Sequence, residues 1–249
     1  MKRFFDFIAS LVGLLVASPV LLPVMFLVWR QDGHSPFYVA ERSGLNGQVF
    51  RMVKLRSMVK NADKTGVDST SVNDRRITRV GHFIRRYKLD ELTQLWNVLI
   101  GDMSLVGPRP NVKRETDLYT SEEKRLLSVK PGITDFSSIV FSDEGEILKD
   151  KEDPDIAYHQ LIRPGKSLLG LFYIEQRTFS VDIQLILLTI QAILSKESAL
   201  QRLVSLMRKL RASDQLCEIA SRIKPLVPIP PPGANRIVTS RDGAVWIGS

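Results

Sequence analysis

The chain has 249 residues, of which 44% are hydrophobic and 25% are charged, and this balance excludes a disordered tail and predicts one main domain with a sizeable core. Lysine and arginine outnumber aspartate and glutamate by 35 to 27, so the net charge of +8 favours an anionic partner such as phosphate, nucleic acid or an anionic membrane leaflet. The single cysteine, Cys217, excludes an internal disulfide, and the three histidines lack the spacing of a zinc site, so any metal ion used should be a hard one bound by oxygen.

An apolar run without charged side chains extends from Phe7 to Trp29, and it is long enough for a membrane span. Basic residues flank it on both sides, so the positive-inside rule places both of its ends on the cytoplasmic side. Pro19, at its middle, removes a backbone donor and predicts a kink, and the hydroxyl of Ser18 is expected to bond a freed carbonyl there. Each half is then about 16 Å long, against a hydrocarbon core of about 30 Å. We therefore predict a re-entrant membrane helix that breaks at Ser18 and Pro19.

Two alternatives stay open for this run. One is a cleavable signal peptide, although the run is long for one and lacks a clear small-residue cleavage site. The other, which is the stronger rival, is a bitopic span that crosses the membrane with a proline kink.

A hairpin is predicted next. The segment "SPFYVAERSGLNGQVFRMVKLRSM" (35–58) mixes aromatic and β-branched residues with Ser-Gly and Asn-Gly turn signals, which predicts two short strands joined by a turn at 44–47. The hairpin delivers Lys54 and Arg56 to one end. The polar, turn-rich residues 60–76 predict a mobile loop.

Helical spacing dominates the following segment. Apolar residues recur at helical intervals from Ile77 to Leu99 and predict two helices that meet near 87–89, the second ending at Gly101. The segment "KPGITDFSSIVFSDE" (130–144) predicts a turn that leads into an irregular or extended piece, and 153–161 predicts a short helix.

The C-terminal third carries three further patterns. Residues 181–195 are strongly apolar but too short to span; an interfacial helix, or one packed on the re-entrant helix, and a buried core helix are equally compatible with them. Residues 199–224 predict one or two amphipathic helices, broken at 212–214, before a proline-rich linker. The last residues resemble a hairpin turning at 242–243.

Two adjacent acids stand at the head of the second predicted helix. Neighbouring helical residues project about 100° apart, and Leu89 and Leu92 define the apolar stripe, so Asp90 and Glu91 should point toward a shared rim. The ordinary explanation is the helix dipole, which favours acids in a first turn by about 0.3 to 1 kcal/mol. The cationic surroundings favour a functional one, because two prolines hold Arg109 on a stiff turn suited to clamping a phosphate.

Several motifs together resemble one known family. After a basic start, the chain carries "FDFIASLVGLLVASPVLLP" (5–23), "FRMVKLRSM" (50–58), "LDELTQLWNVLIGDMSLVGPRP" (89–110) and "KPGIT" (130–134). This combination closely resembles the monotopic phosphoglycosyl transferases, a group of bacterial sugar transferases, over about residues 1–195.

The resemblance implies a domain organisation and a fold. We expect a re-entrant membrane anchor at 1–30, a catalytic domain at 31–195 and a C-terminal extension at 196–249. The expected class is α+β and mainly helical, with a small β-hairpin and amphipathic interfacial helices around an active site at the cytoplasmic face of the bacterial inner membrane.

The resemblance also implies a reaction. A member of this family transfers a sugar-1-phosphate from a nucleotide sugar, usually a UDP-sugar, to a polyprenol phosphate such as undecaprenyl phosphate and releases UMP, with Mg²⁺ as cofactor. It implies Asp90 as the covalent nucleophile, Glu91 as a catalytic residue and metal ligand, and phosphate binding by a set of cations: Lys54, Arg85 and Arg109. Such chemistry suits the residues, because carboxylates act as nucleophiles on phosphorus and oxygen ligands suit a hard, hydrated ion.

The chain departs from the family pattern at one place. Many relatives continue "PGIT" with Gly-Trp-Ala-Gln, whereas Asp135, Phe136 and Ser137 follow it here. The identity of the transferred sugar therefore cannot be taken from the family.

The alternative function is a non-catalytic membrane scaffold that binds anionic lipid. The absence of a recognised DNA or RNA module disfavours binding of nucleic acid. Three roles stay open for the extension at 196–249: capping the active site, contacting a second subunit in a homo-oligomer, or binding another enzyme of the same pathway.

Overall fold

The structure, a computed structural model, describes residues 1–62 and 74–240. The predicted mobile loop at 60–76 falls mostly outside the described residues, and so does the predicted hairpin turn at 242–243. Regular elements follow in chain order: α1 (Lys2–Asp32), β1 (Phe37–Ser43), β2 (Val49–Leu55), α2 (Arg79–Arg86), α3 (Leu89–Leu92), α4 (Leu95–Ile100), β3 (Ser104–Val106), α5 (Lys113–Asp117), β4 (Gly132–Thr134), α6 (Phe136–Val140), α7 (Glu144–Ile147), α8 (Pro154–Ala157), α9 (Arg163–Gln176), α10 (Phe179–Leu194), α11 (Lys196–Lys209) and α12 (Asp214–Ser221). The described part is thus mostly helical, as expected.

The apolar N-terminal run forms the long helix α1. It contains 31 residues, which corresponds to about 46 Å at about 1.5 Å per residue, and it is long and apolar enough to cross a membrane. The assigned helix continues past both internal prolines. Ser18 Oγ donates a 2.7 Å hydrogen bond to the carbonyl of Leu15, the acceptor that Pro19 leaves without its helical N–H. The hydrogen bond expected of Ser18 is present, whereas the break at Ser18 and Pro19 and the re-entrant course stay predictions.

The predicted hairpin is confirmed. Strands β1 and β2 pair antiparallel with Tyr38 opposite Lys54 and Arg42 opposite Phe50, and a 3-10 turn over Leu45–Gly47 joins them. Since side chains alternate along a strand, Tyr38, Arg42 and Lys54 lie on the same face of the hairpin.

The two predicted helices between 77 and 101 form as three pieces, α2, α3 and α4, and α4 ends at Gly101 with a left-handed φ of 101°. The bend between α2 and α3 lies at Lys88, whose φ is also positive at 53°, a conformation that is uncommon for a residue with a side chain. The predicted junction near 87–89 is therefore correct. The sequence missed only the second break, between α3 and α4.

A second small sheet follows, in which β3 and β4 pair in parallel. It brings Gly107 against Gly132 so closely that a Cβ on Gly132 would lie 2.0 Å from the Gly107 nitrogen, which explains why glycine is needed there. The prediction of an extended piece after Pro131 was right for β4 but missed the helices α6 and α7. The predicted helix at 153–161 forms as α8 followed by a π-helical turn, and it leads into the unpredicted helix α9.

The largest hydrophobic core lies among long helices. Fully or almost fully buried members come from several of them: Phe136, Leu169, Leu185, Leu203, Met207 and Cys217. Helices α11 and α12, which belong to the predicted C-terminal extension, therefore share one core with α6, α9 and α10. The buried-core interpretation of 181–195 holds for Leu185 of α10, which is fully buried, while Leu194 is 84% exposed. The interfacial interpretation stays a prediction.

Candidate active site

The adjacent acids stand where the sequence placed them, at the start of α3 and on its rim. Leu89 packs into a cluster with Leu21, Val28 and Ile84, so the helix turns its apolar side toward α1 and α2. Asp90 and Glu91 are consequently only half-buried. The predicted rim position is confirmed.

Arg109 closes over Glu91 from the turn after β3. Its Nη1 lies 2.9 Å from Glu91 Oε1, and the two side chains are 30% and 20% exposed. Burial raises the pKa of Glu91, but the charge of Arg109 outweighs it together with those of Lys88 and Lys54, and the pKa falls to about 2. The charge of Glu91 in turn raises the pKa of Arg109. Both groups are therefore ionised at neutral pH.

Lys54 reaches the acids from the end of β2. Burial lowers its pKa to about 8, and the charge of Arg109 acts in the same direction, while Asp90 and Glu91 oppose both. For Asp90 the balance is reversed: burial raises the pKa of its carboxyl group, the charge of Glu91 adds to this, and Lys54 and Arg109 counteract it. The carboxyl group of Glu91 is therefore easily ionised, whereas the ionisation of Asp90 depends on its cationic neighbours.

Arg85 completes the cluster from the last turn of α2. Its Nε donates a 3.0 Å hydrogen bond to Ser57 Oγ, which fixes the guanidinium beside the end of β2. Burial lowers its pKa and the charge of Asp90 raises it. The structure thus brings together the five predicted site residues that lie outside α1: Lys54, Arg85, Asp90, Glu91 and Arg109. Ser18 and Pro19 act instead within α1.

A second wall of this site, formed by α7 and α9, was not predicted from the sequence. Glu144 at the start of α7 forms an ion pair with Lys166 of α9, and the charge of Glu144 raises the pKa of both Arg109 and Arg85. Lys166 shares a crevice with Arg109 and lies 5.3 Å from the centre of the Tyr158 ring. No motif marks Glu144 in the sequence, because tertiary folding alone brings α7 to this site.

The residues that depart from the family pattern have a structural role at the base of the same wall. Asp135 is fully buried and caps α6, accepting hydrogen bonds of 2.7 Å from both the Ser138 N–H and the Ser137 hydroxyl. Burial raises the pKa of Asp135, and these hydrogen bonds lower it.

A metal ion would have few protein ligands here. The described ranges contain no group of three or more His, Cys, Asp or Glu side chains that could hold a metal. Mg²⁺ does not require one, because it is commonly bound by one or two carboxylates together with substrate phosphates and water. Glu91, the carboxylate that pairs with Arg109, is the residue that would hold such an ion.

Comparisons with known proteins agree with the motifs. The family described as bacterial sugar transferase matches residues 1–196. The chain is 41% identical over 149 residues to a UDP-galactose-lipid carrier transferase of Erwinia amylovora, covering 54% of this chain and 31% of that protein. It is 42% identical over 149 residues to the undecaprenyl-phosphate galactose phosphotransferase of Salmonella typhimurium, again covering 54% of this chain and 31% of that protein.

A shorter relative is matched over most of its length. An uncharacterized sugar transferase of Bacillus subtilis is 33% identical over 201 residues, which cover 81% of this chain and 91% of that protein. The chain therefore spans about a third of the first two relatives and nearly all of the third.

Proposed function

Because the chain belongs to the bacterial sugar transferase family, we propose that it transfers a sugar-1-phosphate from a UDP-sugar to undecaprenyl phosphate and releases UMP, as a membrane step of polysaccharide assembly. The observation that carries this proposal is the cluster around Asp90, in which Glu91, Arg109 and Lys54 surround a half-buried carboxylate. The names of two relatives supply the lipid and the nucleotide, since one is an undecaprenyl-phosphate phosphotransferase and the other a UDP-galactose-lipid carrier transferase.

In the proposed first half-reaction, a carboxylate oxygen of Asp90 attacks the sugar-linked phosphorus of the donor. The bond from that phosphorus to the bridging oxygen breaks, and UMP leaves with the electron pair. In the second half, a phosphate oxygen of undecaprenyl phosphate attacks the same phosphorus and releases the Asp90 carboxylate. The attacking carboxylate must be ionised, and the positive charge of Lys54 favours that form against the effect of burial.

The cations of the cluster suit the phosphates of such a donor. Arg109 presents a planar fork that binds two phosphate oxygens at once, whereas Lys54 acts as a point charge. Arg85 is held beside them by Ser57. Phosphoryl transfer depends chiefly on such positioning and charge neutralisation.

Mg²⁺ is the cofactor that this site fits best. Glu91 would hold it together with phosphate oxygens of the donor. When bound, it would neutralise charge on the diphosphate and on the departing UMP.

The ties at both ends of α1 support a one-sided membrane anchor. Lys2 Nζ lies 2.5 Å from Asp182 Oδ2 of α10, and Arg56 Nη1 lies 2.6 Å from Asp32 Oδ2. A straight bitopic span would place these ends on opposite sides of the membrane, about 46 Å apart. We therefore favour an anchor that enters and leaves one leaflet at the cytoplasmic face of the bacterial inner membrane, where the lipid phosphate also lies.

A screen of nucleotide sugars tests this function. The full chain in lipid nanodiscs receives undecaprenyl phosphate, Mg²⁺ and one nucleotide sugar at a time, and UMP is measured. We expect release with at least one UDP-sugar and, without acceptor, a phosphosugar adduct on Asp90 detected by mass spectrometry. No release with any donor would favour the lipid-binding scaffold, and release without an adduct would reject the covalent mechanism.

A labelling experiment tests the membrane arrangement separately. Cysteines replace Phe4 and Gln31 in a Cys217→Ser background, and intact cells are treated with a membrane-impermeant thiol reagent. Both positions should be labelled only after permeabilisation. Labelling of position 4 from outside would favour the bitopic span.

A further inference from the structure

Three polar side chains at the start of α1 are unexplained by membrane anchoring alone. Lys2, Arg3 and Asp6, here named the N-terminal latch, precede the apolar run, and Asp6 is only 3% exposed. A buried carboxylate on a membrane helix is costly unless it is hydrogen-bonded, so its partners indicate its purpose.

Arg3 binds the end of the helix that follows the acids. Its Nη1 donates to the carbonyl of Val98 at 2.5 Å and its Nη2 to that of Leu99 at 2.7 Å. Both carbonyls lie in the last turn of α4, where they lack helical donors. A cation at this end also complements the helix dipole. The guanidinium thus holds the C-terminal end of the α3–α4 segment that begins with Asp90 and Glu91.

Asp6 binds the strand that leads to Arg109. Its carboxylate accepts a 2.8 Å hydrogen bond from Ser104 Oγ and a 3.3 Å bond from the Leu105 N–H. Both residues belong to β3, and Arg109 follows four residues after Leu105.

Lys2 adds a second tie to the same strand. Its Nζ donates to the carbonyl of Val106 at 3.2 Å, and the hydroxyl oxygen of Tyr173 lies 3.0 Å from the same carbonyl oxygen. Asp182 accepts from both Lys2 and Tyr173, at 2.5 and 2.7 Å. The latch therefore reaches α9 and α10 of the helical core as well.

We propose that the N-terminal latch is a set of positioning residues, which fixes the distance between the acids on α3 and the guanidinium of Arg109. The latch contacts the end of α4, which follows the acids of α3 in the chain, and the strand β3, which precedes Arg109. Helix α4 has six residues and β3 has three, too few to hold a spacing without tertiary ties. Docking of the membrane helix thereby becomes a condition for an assembled active site. This inference rests on the proposed function for its effect on turnover.

Variants of the latch, with a matched control, test the inference in the full chain in lipid nanodiscs. Arg3→Ala and Asp6→Ala remove the bonds, while Arg3→Lys and Asp6→Asn keep part of them. Arg30→Ala is the control, since Arg30 is an exposed cation at the other end of the same helix and shares any attraction to anionic lipid. Lys2→Ala is a milder variant that removes only the Lys2 bonds to Val106 and Asp182.

Two measurements are compared. Hydrogen exchange at the Leu105 amide, which donates to Asp6, should become about tenfold faster in Asp6→Ala, while exchange in α9 of that variant changes little. In Arg30→Ala and Asp6→Asn, exchange at the Leu105 amide should also change little. Turnover of the UDP-sugar found by the screen should fall by about tenfold to a hundredfold in kcat/KM for both alanine variants, the scale expected when reacting groups are misplaced. Arg3→Lys should lie in between, because lysine keeps the charge and loses the fork.

Three outcomes would overturn the inference. The first is an unchanged exchange rate at the Leu105 amide in Asp6→Ala. The second is faster exchange at that amide in a variant whose kcat/KM stays at the wild-type value. The third is a loss of turnover in Arg30→Ala equal to that of the latch variants, which would assign the effect to lipid attraction. If Arg3→Ala or Asp6→Ala does not fold, the same comparison is made with Lys2→Ala and the Val106 region. If the wild type turns over no donor, the proposed function fails, while the exchange measurement still decides whether the latch orders β3.

Discussion

The charged site and the helical core are built in opposite ways. The site stands on α3 with four residues, α4 with six and β3 with three, whereas the core is formed mainly by α9, α10 and α11, with 14, 16 and 14 residues. Isolated helices as short as those of the site are not stable in water, because the free-energy cost of helix nucleation exceeds the stabilisation from a few hydrogen bonds. Their positions therefore depend on contacts such as Arg109 with Glu91. The comparison suggests that chemistry and stability reside in separate regions and respond to different substitutions.

Asp90→Asn should give the largest difference between the two regions, because it should abolish activity at the site and leave the stability of the core unchanged. The amide keeps the size of the side chain but loses the nucleophilic charge, so kcat should fall by at least about three orders of magnitude, as for other covalent nucleophiles. The unfolding midpoint should stay near the wild-type value. Asp117→Asn, at an exposed ion pair on α5, is the control and should retain activity. Substantial turnover by Asp90→Asn would mean that another group attacks the donor.

Leu203→Ala tests the opposite region. Leu203 is fully buried in the core, so its truncation should lower the free energy of unfolding by about 2 to 5 kcal/mol, while the donor KM of the folded fraction stays unchanged. Denaturant unfolding in mild detergent measures the loss. Leu194→Ala, at a side chain that is 84% exposed, should change stability by less than about 0.5 kcal/mol. Equal effects would mean that α11 is not part of the core that stabilises the chain.

Arg109→Lys should affect the site without affecting the core. Lysine keeps the charge but loses one of the two parallel donors, and a hydrogen bond to a charged group contributes about 1.5 to 3 kcal/mol. We therefore expect kcat/KM to fall by about tenfold to a hundredfold. Arg51→Lys, at an exposed position on β2, serves as the control. A near-normal rate for Arg109→Lys would assign only a structural role to the turn that holds it.

The pH dependence of kcat/KM should report Lys54. Burial lowers its pKa to about 8, so the fraction of cationic Lys54 decreases as pH rises through about 8, and phosphate binding weakens with it. Activity should therefore decline on the alkaline side. Lys54→Arg keeps a charge at all these pH values, so any activity it retains should lack this decline. The same alkaline limb in Lys54→Arg would assign it to another group.

Ser18→Ala should have the smallest effect. Loss of the hydroxyl leaves the Leu15 carbonyl without its bond, at a cost of about 1 kcal/mol, which a thermal scan in one detergent can detect. Ser10→Ala is the matched comparison, because the Ser10 hydroxyl also bonds a carbonyl three residues earlier, that of Phe7, but no proline removes a helical donor there. A larger loss for Ser10 would contradict the role given to Ser18.

The sequence predicted the local parts of both regions well. The hairpin, the junction near 87–89 and the rim position of Asp90 and Glu91 follow from turn signals and from apolar spacing, which act over a few residues. The motifs also identified the five charged residues of the site. Residues 134–144 were predicted less well, because the cap of α6 depends on hydrogen bonds to Asp135 that have no periodic pattern.

The sequence by itself determined which residues are available for the proposed chemistry, since residue type and spacing are written in it: adjacent acids, a proline-flanked arginine and an apolar run of membrane length. Only the tertiary structure decided what surrounds them. Glu144 enters the site on α7, and Lys2, Arg3 and Asp6 reach segments that lie from 95 to 180 residues away in the chain. The physical reason is that charge–charge contacts and hydrogen bonds across such separations depend on how helices pack, and no local periodicity encodes which polar groups then meet.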